Sequence, residues 1–123
     1  MLPRVRKVLC YVVRDGRLLV FDHRDHPDAG VQVPAGTLHD GEDPAAGAVR
    51  ETEEETGHRV PDRREARGVF HLTAPPGLPG SWSHLAEEGN GDFWFAYRWI
   101  AITPELTLAG DQHAYLGGLA PHK

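Results

Sequence analysis

The chain has 123 residues, with 13 Lys and Arg against 18 Asp and Glu, a formal net charge of −5 and 40% apolar residues. That size suits one compact domain, and the apolar share is enough for a core, which excludes a disordered chain. No apolar run approaches the ~20 residues needed to cross a membrane, and the basic stripe of a duplex-binding surface is not evident, so neither a membrane nor duplex nucleic acid is an expected partner.

Residues 1–13, MLPRVRKVLCYVV, place basic residues ahead of a short apolar run. No small-residue cleavage site follows and Arg14-Asp15-Gly16 comes at once, so residues 7–13 read as a strand and not as a secretion signal. Cys10 is the only cysteine. No internal disulfide can form, a reducing cytoplasm fits, and a buried structural thiol is expected. Asp15-Gly16 is a hairpin signal, with residues 18–22 pairing back. Residues 22–30, DHRDHPDAG, are polar and turn-rich. In this loop Arg24 is a candidate to grip a phosphate, because a guanidinium fork matches phosphate oxygens. His23, His26 and His39 follow no zinc-ligand spacing. Residues 31–33 form a short strand, ended by a tight turn at Pro34-Ala35-Gly36.

Asp43 is a good N-cap, Pro44 suits the first helical position, and Gly57 stands where a helix closes with a left-handed residue; the spacing predicts a helix over 44–56. Ala45, Ala48, Val49, Thr52 and Thr56 form its buried stripe. Glu51, Glu54 and Glu55 share the opposite face, and Glu53 points to solvent. Three like charges toward a helix C-terminus repel one another and oppose the macrodipole. A divalent cation would remove both penalties, and carboxylates with a backbone carbonyl are hard-oxygen ligands suited to Mg²⁺ or Mn²⁺. Taken alone, the glutamates also read as a solvated acidic face.

Residues 59–67 read as a polar connection and 68–73 as a strand. The prolines of residues 74–80, APPGLPG, break any ladder or helix. The loop is read on through 74–91, where Asn90-Gly91 is a further turn signal. Within it Trp82 is a candidate to stack on a base, and Glu87-Glu88 a mobile acid pair that closes toward a metal with substrate. Residues 93–102, FWFAYRWIAI, are the strongest strand, with Phe93, Phe95, Tyr97 and Trp99 on one face. Asp111 caps a short helix over 112–119, with Tyr115, Leu116 and Leu119 toward the core. Strands, one acidic helix, more strands and a last helix make an α/β chain, a single domain over 1–123 with a mixed sheet between helices.

The stretch 36–58, GTLHDGEDPAAGAVRETEEETGH, resembles the Nudix box, the signature of hydrolases that cleave nucleoside diphosphates linked to another group. Gly36, Glu42, Arg50, Glu51, Glu54, Glu55 and Gly57 match, which by chance has odds on the order of one in 10⁵ to 10⁶. Thr52 and His58 depart, standing where the family prefers bulky aliphatics. VPAG before the box and the aromatic strand after it extend the likeness. The resemblance implies a Nudix-type α/β/α sandwich with a mixed β-sheet between helices, and hydrolysis of a pyrophosphate linkage. It implies Mg²⁺ or Mn²⁺ held by Glu51, Glu54, Glu55 and the carbonyl of Gly36. Arg50 orients its acidic neighbours, with Glu42 in support. The general base stays open among Glu51, Glu87, Glu88 and Asp111.

The expected substrate is a small-molecule nucleotide: a nucleoside triphosphate, ADP-ribose or a related compound. Pro75 and Pro76 lie near a proline that ADP-ribose enzymes often carry. Which nucleotide, and which oligomeric state, the sequence leaves open. Two other classes compete. A Nudix-fold module that senses a nucleotide without cleaving it would have lost box carboxylates, and all are present. A protein- or RNA-interaction module needs a basic or apolar patch not evident here, and the charge also disfavours mRNA decapping.

Overall fold

Alternation along β1, Lys7–Arg14, sends Val8, Cys10 and Val12 to one face of the sheet and Tyr11 to the other, and both faces are buried. A strand covered on both sides is central, and β1 is the spine of the fold. In the computed structural model, which describes residues 7–61, 63–66, 69–88 and 91–118, β1 has neighbours on both edges. One edge takes β2 (Arg17–His23) at Val13 and Arg14 and β3 (Ala35–Thr37) at residues 7–9, both antiparallel. The other takes β5 (Val69–Thr73) in parallel, with Leu9 opposite Val69. β4 (Arg63–Ala66) flanks β5, and β7 (Gly91–Ala101) and then β6 (Ser81–Glu88) extend the sheet beyond β2, giving the order β4-β5-β1-β2-β7-β6 with β3 off this path.

Helix α1, Pro44–Thr56, lies on the face of Val8, Cys10 and Val12, packed with Leu19, Phe21, Phe95 and Tyr97. Its ends follow the sequence. The Asp43 carboxylate accepts from Ala46 N, and Gly57 takes the left-handed conformation at φ 81°, its N–H donating to Glu53 O. The opposite face carries Tyr11, Leu18, Val20 and Val69 under Leu108 and Leu116. There the Tyr11 hydroxyl donates to Gln112 O and the Gln112 side chain accepts from Val33 N. The result is the expected α/β layering, a mixed sheet with cover on both faces. Cys10 is fully buried, and burial pushes its thiol up to about 12, which suits structure and not reactivity. Among the described residues no helix is long and apolar enough to cross a membrane.

Several elements differ from expectation. Residues 74–91 are not one long loop: Ser81–Glu88 is strand β6, paired with β7 along its whole length. The glycines and prolines of 74–80 turn the chain, and the alternating run after them pairs. Arg63–Ala66, read as a connection, is edge strand β4, paired with β5. Gly36 lies in strand β3 opposite Val8 and not in a tight turn. Residues 31–33 contribute one bridge, Phe21 to Gln32. The cover over the second face is a 3₁₀ segment, Ala109–Gly118, interrupted by left-handed Gly110 and Asp111. Two successive left-handed residues cannot start an α-helix, so Asp111 is no N-cap. Leu116 is buried as expected, whereas the Tyr115 side chain and Leu119 lie outside the described residues.

Gly57 is the tightest backbone requirement at the helix end: a Cβ there would sit 2.7 Å from His84 Nδ1 at a φ of 81°. Gly57→Ala is expected to destabilise the fold by about 1–2 kcal/mol, read as a lower urea midpoint with an unchanged slope.

Candidate functional site

The site is built around Arg50, which α1 turns toward β3 and the loop ahead of the helix. Its Nε and Nη2 donate to the two oxygens of Glu42 at 2.7 and 2.8 Å. Nη1 donates to Glu51 Oε1 and Glu54 Oε2, each at 2.9 Å, and Nη2 also reaches Thr37 O at 3.1 Å. A planar fork is suited to this work, because its donors diverge at set angles. Glu42 accepts from His39 N as well, at 2.9 Å. The Arg50 fork first, and the His39 N–H second, hold the Glu42 carboxyl down to about 2, while the same carboxylates push Arg50 further above its ordinary value.

Against expectation, Glu51, Glu54 and Glu55 do not share one solvent-facing side. Glu54 is exposed (57% of its side chain), Glu51 retains 14%, and Glu55 is buried at 5%. The helix is rolled so that Glu55 turns toward the sheet beside Thr52 and Thr56. Glu53 faces solvent as read. Glu51 lies directly on β3: a Cβ at Gly36 would overlap its carboxylate, so only glycine leaves room for this approach. The donor chemistry suits a hard divalent ion, with carboxylate oxygens gathered against an open backbone. Yet among the described residues no group of three or more His, Cys, Asp or Glu is arranged to hold a metal ion. Arg50 stands among the acids.

The carbonyl end of α1 is tied to the sheet. Trp82 Nε1 donates to Thr56 O at 2.7 Å, Tyr97 OH donates to Glu55 O at 3.0 Å, and His84 Nε2 lies 3.0 Å from Glu54 O. These are carbonyls that a helix leaves without internal partners. Trp82 therefore sits on strand β6 and not on a loop, its ring stacked on Tyr97 at 5.1 Å. His84 was not singled out from the sequence, and Tyr97 was read only as part of the aromatic face of its strand. The signal was there: the Asn90-Gly91 dipeptide is a hairpin-turn signal in the sequence, and a hairpin needs a strand before Phe93 as well as after it.

Other candidates are not gathered here. Arg24 lies beyond β2 with its guanidinium 5.6 Å from the Trp94 ring, and among the described residues no ion pair ties it to α1. Asp111 is exposed in the layer on the far face of the sheet from α1. Glu87 and Glu88 end strand β6, opposite Asp92 and Gly91; their side chains lie outside the described residues. Burial and His26 hold the His23 imidazole below its usual value, within an aromatic group with Phe93 and Phe95.

A family model described as the NUDIX domain matches residues 3–113. The chain belongs to the Nudix family. It is 34% identical over 114 residues to the RNA pyrophosphohydrolase of Caulobacter vibrioides (strain NA1000 / CB15N), covering 90% of this chain and 65% of that protein. With the RNA pyrophosphohydrolase of Agrobacterium fabrum it shares 39% identity over 78 residues, 63% of this chain and 46% of that one. The chain thus spans less than two thirds of the length of these curated relatives. A crystal structure of UDP-X diphosphatase has the same fold, at a TM-score of 0.58 and 16% identity over 91% of this chain and 57% of that one. Duplex nucleic acid was read as disfavoured for want of a basic stripe, and mRNA decapping by the charge; the name that these relatives of the Nudix chain carry gives those exclusions no support.

Two outcomes follow from the Nudix helix and its ties. Glu42 is held below its ordinary 4.5, so its pairing with Arg50 contributes stability that is full above 4.5 and is lost as pH falls toward about 2. Glu42→Gln should therefore lower stability at neutral pH and flatten its decline across that acid window, measured by urea unfolding at stepped pH. Trp82→Phe keeps the ring and removes the donor, leaving Thr56 O short of a partner; a loss of about 1 kcal/mol is expected, and an unchanged urea midpoint would contradict the tie.

Proposed function

We propose that this chain is a Nudix pyrophosphohydrolase that cleaves the pyrophosphate linkage of a nucleotide, and that the 5′-phosphorylated end of RNA is its substrate class. The observation that carries the reading is the Glu51 carboxylate lying on the Gly36 backbone beside Glu54, under one guanidinium. The relatives' shared name favours RNA ends over ADP-ribose or free nucleotides, which remain the alternatives in the test.

In this reading Glu51, Glu54, Glu55 and the Gly36 carbonyl hold Mg²⁺ or Mn²⁺. When bound, the ion supplies positive charge to phosphoryl oxygens and lowers the pKa of an attacking water. Glu42 grips the Nε–Nη2 edge of Arg50, so Nη1 can release Glu51 or Glu54 to the ion without the side chain leaving its place. Glu51, largely enclosed against β3, is the box carboxylate best placed to act as base; Glu87 and Glu88 remain candidates at the end of β6. Arg24 and Trp82 are proposed substrate contacts only if binding moves them, since Trp82 is engaged with Thr56 and Tyr97.

The test is a panel of 5′-triphosphorylated RNA, nucleoside triphosphates, ADP-ribose, dinucleoside polyphosphates and nucleotide sugars with Mg²⁺ or Mn²⁺, reading released phosphate. Glu54→Gln is expected to lower kcat by roughly 10²-fold or more, with little change in the metal-free melting temperature because Glu54 is exposed. Millimolar Mn²⁺ should raise the melting temperature of the parent more than that of this variant. Near-normal turnover of Glu54→Gln at saturating metal would overturn the assignment.

A further inference from the structure

At the end of β1 away from Gly36 lies an open pocket of about 310 Å³ lined by Arg14, Asp15, Arg17, Gly80, Arg98 and Trp99. Its rim is tied down. Ala74 N donates to Val13 O at 3.0 Å, Arg14 Nη1 to Leu78 O at 2.6 Å, and Trp99 Nε1 to Pro79 O at 2.9 Å. The loop after β5 is thereby held against the β1–β2 turn.

The lining has a definite chemistry. The Arg14 guanidinium lies 4.1 Å from the Trp99 ring centroid, so a planar cation is already stacked and oriented on the indole. Asp22 holds Arg98 at 2.8 Å. Arg17 is exposed and, among the described residues, enters no ion pair. On the Trp99 side of the sheet two guanidinium groups, Arg14 and Arg17, thus meet one carboxylate, Asp15, while Arg98 alternates to the other face where Asp22 holds it. This is a local positive surplus on a chain whose net charge is −5. Guanidinium forks beside a half-exposed aromatic ring are the composition that takes single strands, with phosphates on the cations and bases near the ring.

We infer that this pocket binds the phosphate backbone of a single-stranded RNA whose 5′ end is at α1; this rests on the RNA-end reading above. Val8 pairs with Gly36, and Arg14 lies on the order of 20 Å further along the same strand at ~3.3 Å per residue. A mononucleotide at Glu51 cannot span that distance, whereas a strand of several nucleotides can. The pocket therefore adds affinity for long substrates and none for short ones.

The experiment uses two variants of opposite sign. Arg17→Glu reverses an exposed charge. Asp15→Asn removes a carboxylate at a turn residue with φ 50°, a conformation asparagine also accepts. Binding of a 5′-monophosphorylated single-stranded RNA of about twelve nucleotides is measured by fluorescence anisotropy over a salt series. Turnover is measured on 5′-triphosphorylated RNA of that length and on a nucleoside triphosphate. Arg17→Glu should weaken RNA binding by roughly 5- to 20-fold and lower the salt slope by about 1, and Asp15→Asn should tighten binding. Both should leave kcat and KM for the mononucleotide within about 2-fold of the parent. RNA affinity and salt slope unmoved in both variants would overturn the pocket's role, even if the parent cleaves RNA ends. A parent that cleaves only free nucleotides would overturn the RNA-end reading instead, and the anisotropy would still decide whether the pocket holds a strand.

Discussion

One guanidinium holds the acidic cluster together. Without Arg50, the carboxylates of Glu42, Glu51 and Glu54 would converge and repel one another, Glu51 and Glu54 also opposing the helix macrodipole. With it, their charges are offset and their directions set, because one edge of the fork belongs to Glu42 and one nitrogen is shared by Glu51 and Glu54. The arrangement also binds three pieces of chain: the helix, the turn at His39 that feeds it, and β3 through Thr37 O. The helix is then fastened at its other end by Trp82, His84 and Tyr97, three side chains from two neighbouring strands. A carboxylate constellation can be sharp only if the helix carrying it cannot roll, and both sets of ties resist rolling.

Sequence reasoning was strongest where chemistry is local. Asp43, Pro44 and Gly57 mark the ends of α1 because caps are made by residues within a turn of one another. The box residues matched a spacing, and spacing is a property of the chain alone. The errors were nonlocal. β4 and β6 are edge strands whose polar residues mask the two-residue period, so only pairing with β5 and β7 reveals them. The burial of Glu55 could not be read from helical geometry, since the wheel gives relative angles and the sheet decides which angle faces inward.

Trp82 shows how a residue's task depends on what surrounds it. In a loop, an indole invites a base to stack on it. On β6, one ring face is taken by Tyr97 and the N–H by Thr56 O, so the same side chain works as a brace for the helix. Composition alone does not separate these roles. Gly36 is the converse case: its function is to lack a side chain where the Glu51 carboxylate must lie.

The parallel pairing of β1 with β5 has a consequence in time. β1 is synthesised before β5, and Leu9 must wait for Val69 before that edge is satisfied. At ~5–20 residues per second, the wait is on the order of seconds to about ten seconds. Through that interval a strand apolar on both faces has an open ladder, partnered on its other edge by β2 at Val13 and Arg14 and later by β3 at residues 7–9. Such a strand is a template for any extended segment nearby. The growing chain is therefore most exposed to misassembly before α1 has emerged and β5 has docked, because the β1–β2 hairpin covers the other edge only at Val13 and Arg14 and residues 7–9 stay open until β3 pairs there.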